Sequence, residues 1–345
     1  MSQRGYPLHE ERISLYSWKP VTSQPEPKQH HFVHRAYLEG FADPEFGRSG
    51  ELYLWAYLPG KAPFRQRPER IAKRNYYYCF EREDQREFVF EHTLQKLEDV
   101  SLPVLRKLRG RDFHLELEER LILAGYVALS YTRVPMFERV VNRATLLHTA
   151  FQLEKFTSDP ENLKLLAREE SERVGKEVSP DEMLKTLNAG SVYLTQTNRG
   201  WSLEQSARIM MLLQKVIFEM RWIFLVAEEG DPGFLTSDNP VAVFDAPTVD
   251  VPGTGFKSSP DTYLTFPICR EICLVANHLA RQAQRVVRVS GARVRQVNKG
   301  AIERADTQLY APFRSAKVQE LHDTAVLARG TPKRVMVKKG RIVEE

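Results

Sequence analysis

The chain has 345 residues, 42% of them apolar and 10% aromatic, with 50 lysines and arginines against 45 aspartates and glutamates for a formal net charge of +5. That composition supplies a sizeable core and excludes an intrinsically disordered chain, and the basic excess is weaker than that of a dedicated nucleic-acid binder. Three cysteines, Cys79, Cys269 and Cys273, give neither a disulfide framework nor a CxxC zinc knuckle, which points to a reducing compartment and a cytoplasmic location.

Residues 1–29 are polar and interrupted by Pro7, Pro20, Pro25 and Pro27, which predicts an extended arm that packs through Ile13, Leu15, Tyr16 and Trp18. No apolar run there resembles a signal peptide. The segment QHHFVHRAYLEGFAD reads as a short helix or turn-helix, and ELYLWAY at 51–57 as a strand. A basic stretch at 64–74 precedes the aromatic run Tyr76, Tyr77, Tyr78. From 86 to 108 the apolar residues Phe90, Leu94, Leu97, Val104 and Leu108 recur at helical spacing, with Pro103 expected to bend or restart the helix. Residues 116–132 predict a helix apolar nearly all round and therefore central. Its apolar run, LILAGYVALSY, is about half the length a membrane span needs, so no membrane partner is expected.

A third helix should start at Pro135 and reach 155. Two more are expected in the charged segment 156–200, after Ser158-Asp159-Pro160 and Ser179-Pro180-Asp181, and a longer one over 203–218. The texture then changes to short β-like runs at 222–226, 234–236, 241–244, 263–266 and 272–276, separated by turn residues and a Pro/Gly/Ser loop at 245–261. A helix over 292–305 and a basic strand-like tail at 333–343 follow. There is no P-loop, GxGxxG, GxSxG or HExxH pattern.

Several polar residues sit where chemistry can be built. His30 and His34, if helical, are i, i+4 neighbours able to grip a metal, and His31 and Arg35 share the adjacent face, suited to an anion; the alternative is a buried hydrogen bond for His31. Glu91 and Glu98 lie two turns apart, about 10 Å along a helix axis, and offer two carboxylates to one site or else a solvated flank and an arginine partner. Arg133 falls on the stripe of Ile122, Tyr126 and Leu129, where a guanidinium needs a partner such as Glu98 or Asp238. Asp238-Asn239-Pro240 is either a turn or the polar lip of a site, and Asn298 either caps or bridges to that turn. Basic residues cluster at Arg65, Arg67, Arg70, Lys73 and Arg74, at Arg281, Arg285, Arg288, Arg293 and Arg295, and at Lys333, Arg334, Lys338, Lys339 and Arg341. They read as solvated faces or as a nucleic-acid surface on which Tyr76 to Tyr78 stack bases.

His31-Phe32-Val33 with Tyr37-Leu38 and Phe41, then Glu98, Arg133-Val134-Pro135, the run Phe234 to Val241 (FLTSDNPV), Phe266-Pro267-Ile268 and Val294-Arg295-Gln296-Val297-Asn298 occur in that order. In this the chain resembles the "domain of unknown function 4238" family. That family usually has proline where this chain has His34, so the backbone after His31 is expected to differ here. The resemblance implies no activity.

The expected fold is α+β: a helical body around the buried helix 116–132, packed on a small antiparallel or mixed sheet from 222–277. One domain is expected over 30–328, with a helical insertion near 156–200 and a basic tail at 329–345. Two functions are carried forward. One is a hydrolase-like enzyme acting on nucleic acid, with His31, Glu98 and Asp238 as catalytic groups, Arg35, Tyr37, Arg133, Asn239 and Asn298 as binding groups, and room for a divalent metal. The other is a non-catalytic nucleic-acid or protein binding module in which the same residues form a buried structural network.

Overall fold

The computed structural model describes residues 28–43, 51–82, 85–87, 89–188, 199–244, 261–329, 335–338 and 341–344. In chain order come β1 (Gln29–His31), α1 (Arg35–Leu38), β2 (Leu54–Tyr57), β3 (Phe64–Gln66), β4 (Lys73–Asn75), β5 (Phe80–Arg82) and β6 (Gln85–Glu87). The helical body follows: α2 (Val89–Arg109), α3 (Leu117–Thr132), α4 (Pro135–Thr157), α5 (Pro160–Val174), α6 (Pro180–Asn188) and α7 (Arg199–Glu219). The last part holds β7 (Arg221–Ala227), β8 (Thr236–Ser237), β9 (Ala242–Phe244), β10 (Tyr263–Cys269), β11 (Ile272–Asn277), β12 (Gln284–Val289), α8 (Gly291–Arg304), β13 (Leu309–Ala311), α9 (Ala316–Arg329) and the hairpin β14 (Val335–Lys338) and β15 (Arg341–Glu344). This is an α+β fold. The arm expected over 1–29, but for its last two residues, the loop at 245–260 and residues 189–198 of the insertion lie outside the described residues.

Local sequence explains where the helices start. Glu116 and Glu119 exchange backbone bonds in a capping box before α3. Asp159 accepts the Glu161 N–H at 2.9 Å, with Pro160 opening α5. Ser179 and Glu182 cap α6 in the same reciprocal way. α2 runs unbroken through Pro103, so the helix does not restart there. Pro103 and Asp99, whose carbonyl loses its partner, are both exposed, so water can take over that bond.

The sheet is mixed, in the order β12-β7-β11-β10-β9, with β12 parallel to β7 and the other pairs antiparallel. Its membership differs from the expected one: β12 joins as an edge strand, and the run at 234–236 pairs as β8 in a second sheet. The β period of two gives it two different faces. Trp222, Phe224, Leu264, Phe266, Leu274 and Ala276 point into the main core with α3 and α7, where Leu123, Val127, Leu213 and Ile217 meet them. Leu225, Cys273 and, partly buried, Ile223 and Val275 point the other way, to Val294 and Val297 of α8. The C-terminal part of α8 covers a second sheet, β3-β2-β13-β8, through Ala301, Ile302, Tyr57 and Leu309. No helix among the described residues is long and apolar enough to cross a membrane.

The turn before β8 depends on Gly233. Its φ is +91°, and a Cβ there would lie 2.4 Å from the Arg270 carbonyl oxygen that accepts the Phe234 N–H at 2.7 Å. Gly233→Ala therefore meets backbone rather than a movable side chain. It should lower stability by about 2–4 kcal/mol in denaturant unfolding; an unchanged midpoint would mean that this turn is not held as described.

Candidate functional site

The segment around His31 is a strand rather than a helix. β1 pairs antiparallel with β4, His30 opposite Arg74 and His31 opposite Lys73. Alternation buries His30, whose Nδ1 accepts the Tyr78 N–H at 3.0 Å while its ring stacks on Tyr78. His30 and His34 therefore share no helical face, and the i, i+4 metal pair does not form. Among the described residues no group of three or more His, Cys, Asp or Glu is placed to hold a metal.

Where β1 turns into α1, three helical elements meet. Glu98 comes from the middle of α2, and Arg133 is the residue that ends α3. Arg133 sends NH1 to Glu98, NH2 to the His31 carbonyl and Nε to the Tyr78 hydroxyl at 3.2 Å, and that hydroxyl donates to the Arg133 carbonyl at 2.9 Å. Burial opposes the guanidinium charge, but Glu98 and Tyr78 more than offset it, so its pKa is raised. Arg133 is thus spent on the protein, which leaves the role of holding an anion to other cations. Asp238, the other partner considered for it, is engaged elsewhere.

The groups around this ion pair are perturbed. Burial lowers His34 to about 4, despite Glu98 Oε2 at 3.7 Å, so its ring is neutral and bonds the Tyr126 hydroxyl at 3.2 Å through Nδ1. Burial, then Lys73, also lowers His31, which bonds the Glu69 backbone and leaves Nε2 buried with no hydrogen-bond partner. Burial pushes Glu91 up to about 7, with Arg133 opposing and Glu98 reinforcing. Its Oε2 has no hydrogen-bond partner and lies 3.6 Å from His30 Nδ1, an acceptor already filled by Tyr78, so a carboxylate there faces a lone pair. Glu91 and Glu98 keep 19% and 14% of their side chains exposed, so solvent reaches this cluster at its edge.

The remaining candidates lie apart. The Asp238 carboxylate accepts the N–H groups of Asp306, Thr307 and Gln308 at 2.8, 2.8 and 2.9 Å and the Thr307 hydroxyl at 2.9 Å. Burial, reinforced by Asp306, pushes it up to about 6 against those donors. Asn239 donates to the Arg304 carbonyl at the end of α8. Asn298 accepts the Leu235 N–H at 3.1 Å and donates to the Gly233 carbonyl at 3.0 Å, clamping α8 to the strand segment. Tyr37 is buried, its hydroxyl bonded to Thr236 Oγ1 at 2.8 Å and the Pro267 carbonyl at 2.7 Å. Arg35 is exposed and paired with Glu39. Of the five residues expected to converge, His31, Glu98 and Arg133 meet; Asp238 and Asn298 do not join them.

Tyr77 and Tyr78 are buried, so they cannot stack incoming bases. Tyr78, Tyr126 and Glu91 complete the cluster. Only Glu91, by its two-turn spacing from Glu98, carried a signal in the sequence; the tyrosines look like core aromatics until their hydroxyls are placed. The described basic residues are dispersed: Arg65 lies over Trp55, Arg67 pairs with Glu51, Arg74 covers Phe32 and Tyr77, and Arg281 pairs with Glu219. The side chains of the third basic group lie outside the described residues.

Asp238→Asn keeps one acceptor for Thr307 and Gln308 but turns an amide N–H₂ toward the Asp306 N–H. A loss of about 2–4 kcal/mol in unfolding free energy is expected. A loss in activity with no change in stability would overturn this structural role.

No curated protein and no solved structure matches the chain. The sequence pattern of the family described as "Protein of unknown function (DUF4238)" matches residues 29–314, which span β1 through β13 and so include both polar networks. The chain belongs to that family.

Proposed function

We propose that the cluster at the β1–α1–α2–α3 junction is the acid–base centre of a hydrolase-like enzyme acting on a phosphodiester substrate. The observation that carries this reading is the pair of glutamates on α2 held in opposite environments. Glu98 is locked in an ion pair with Arg133, whereas Glu91, two turns earlier, has its pKa at about 7 and one oxygen free of any bond. Carboxyl groups separated in this way are suited to different roles near neutral pH. The unpartnered Nε2 of neutral His31 supplies a base beside them.

In this reading water adds at phosphorus and passes its proton to His31 Nε2. The bond from phosphorus to the leaving oxygen breaks, and Glu91 gives that oxygen its proton. Arg133 is a positioning residue: it fixes Glu98 and, through the His31 carbonyl, the strand that carries the base. The basic stretch bears on the substrate, because Lys73 pairs with His31 across the β1–β4 ladder and Arg74 is its neighbour. Cations there favour approach of a polyanion.

A binding module without chemistry is the second reading. The burial of Arg133 and the full engagement of its guanidinium favour it, since a network of this kind also specifies a fold.

The two readings separate on labelled single- and double-stranded RNA and DNA, incubated with and without Mg²⁺, Mn²⁺ or Zn²⁺. The enzyme reading expects cleavage whose rate falls as pH rises through about 7, where Glu91 loses its proton. Glu91→Gln and His31→Gln should each slow it by roughly 10²-fold or more. Salt-sensitive retention without cleavage would select the binding module, and cleavage indifferent to both substitutions would remove this site.

Stability gives an independent check on Glu91. Its pKa is raised on folding, from 4.5 to about 7, so the folded state holds the proton longer than the unfolded chain. Its contribution is therefore favourable at low pH and is lost as pH rises from about 4.5 through 7. Glu91→Gln carries no such penalty and should exceed the wild type at pH 8 by about 1–3 kcal/mol while matching it near pH 4. Equal stability at both pH values would show that Glu91 titrates as an ordinary surface carboxyl.

A further inference from the structure

The face of the main sheet turned away from α3 carries a second feature, independent of the proposed catalytic cluster. Between that face and α8 lies a cavity of about 350 Å³. Strand register builds its floor from two rows. Phe244, Tyr263, Asn277 and Arg221 stand opposite one another across β9, β10, β11 and β7; Thr265, Val275 and Ile223 form the next row on the same face. The other wall comes from Arg293, Gln296, Val297 and Gly300, at the i, i+3, i+4 and i+7 positions that share one face of a helix.

Two polar atoms in this cavity are left over by the protein. Thr265 is 4% exposed and its Oγ1 has no hydrogen-bond partner; Arg221 Nε is likewise buried and unpaired. Leaving such groups dry costs free energy, so lining residues that carry an unpaired hydroxyl and an unpaired guanidinium N–H favour a ligand that accepts hydrogen bonds. The charge has the same sense: among the described lining residues Arg221 and the exposed Arg293 stand against one carboxylate, Asp261. Apart from Asn277 and Gln296, the rest of the lining is mainly apolar, with Phe244 and Tyr263 stacked at 4.9 Å and Ile223, Val275 and Val297 beside them. A Cβ at position 300 would come within 2.5 Å of Phe244 Cζ, so glycine lets α8 close down on that ring.

We propose that this cavity binds a small organic anion with a planar ring. Its acidic group lies with Arg221, Arg293 and Thr265, and its ring against Phe244, Ile223, Val275 and Val297. A cavity of this size is at the small end of ligand sites and suits a mononucleotide or an aromatic carboxylate. Both share the chemistry of a flat body ending in phosphate or carboxylate.

The test is calorimetric titration of the full chain with nucleoside 5′-monophosphates, their uncharged nucleosides, benzoate and indole-3-acetate, benzamide, and inorganic phosphate. Binding by an anion that carries a ring is expected, with at least tenfold weaker binding by its uncharged parent and by phosphate alone. Nucleotides and aromatic carboxylates separate the two sources. Arg221→Gln should weaken the interaction tenfold or more and Thr265→Val severalfold, each with a thermal transition within a few degrees of the wild type. Lys299→Gln, on α8 but outside the cavity, should leave it unchanged. No ring-bearing anion bound at millimolar concentration would overturn the proposal. So would equal binding of uncharged parents, or binding indifferent to both Arg221→Gln and Arg293→Gln.

Discussion

A guanidinium at the depth of Arg133 cannot be left without counter-charge and hydrogen bonds, because an unpaired buried charge costs several kcal/mol. The sequence supplies its partners from three separate places. Glu98 comes from α2, the Tyr78 hydroxyl from the loop after β4, and the His31 carbonyl from β1. Since Arg133 itself ends α3, satisfying one side chain fixes the C-terminus of the central helix against the long helix before it and the first strand. The same bonds set the cluster's electrostatics. Burial raises Glu91, with Arg133 opposing and the field of Glu98 adding to it, and burial also keeps His34 and His31 neutral.

A second polar network does comparable work at the other end of the β region without sharing a residue with the first. Asp238 gathers three successive backbone N–H groups from 306–308, Asn239 takes the last carbonyl of α8, and Asn298 holds α8 to the segment entering β8. The motif Asp238-Asn239-Pro240 is therefore read best as fold chemistry: its side chains replace ladder bonds that strands as short as β8 and β13 cannot make for themselves. Tyr37 lies between the networks, bonded to Thr236 next to one and in ring contact with Tyr126 of the other. Aromatic packing and one hydroxyl thus connect the two, rather than a charge relay.

The helices were legible because their signals are local. Capping residues at Glu116, Asp159 and Ser179, Pro135 at a first turn and the apolar run of α3 each depend on neighbours within a few positions. The need of Arg133 for a carboxylate is also legible, since an arginine on a core stripe demands one, but the sequence leaves Glu98 and Asp238 as equal candidates. What was missed depends on contacts distant in sequence. β1 carries no legible strand signal, because its partner β4 lies some forty residues on and alternation over three residues is too short to register. β12 is not marked by its pattern, because Arg285 and Arg288 flank adjacent valines without alternation; its parallel pairing with β7 defines it. α9 carries a weak apolar face and lies between the helix expected over 292–305 and the basic tail at 329–345, where the pattern marks no element. Asp238 and Asn298 were grouped with His31 on chemistry alone, and only the fold separates them.

The main sheet explains why one short region can serve two chemical environments. In β10 the side chain of Phe266 packs on Tyr37 and Tyr126, on the side of the cluster, whereas its neighbour Thr265 faces α8 and the cavity. The alternation that buries one residue among the helices therefore presents the next to the opposite layer. A strand covered on both faces usually reads as a continuous apolar run, and β10 departs from that rule only at Tyr263 and Thr265. Arg221 and Asn277 are the corresponding departures at the ends of β7 and β11. Polar residues placed on one face of a sandwiched sheet, in cross-strand register, are costly unless something meets them. α8 meets only part of that row, through Val297 and Gly300, and the apolar residues that would fill the remaining space are absent from its facing positions, where Arg293 and Gln296 stand instead.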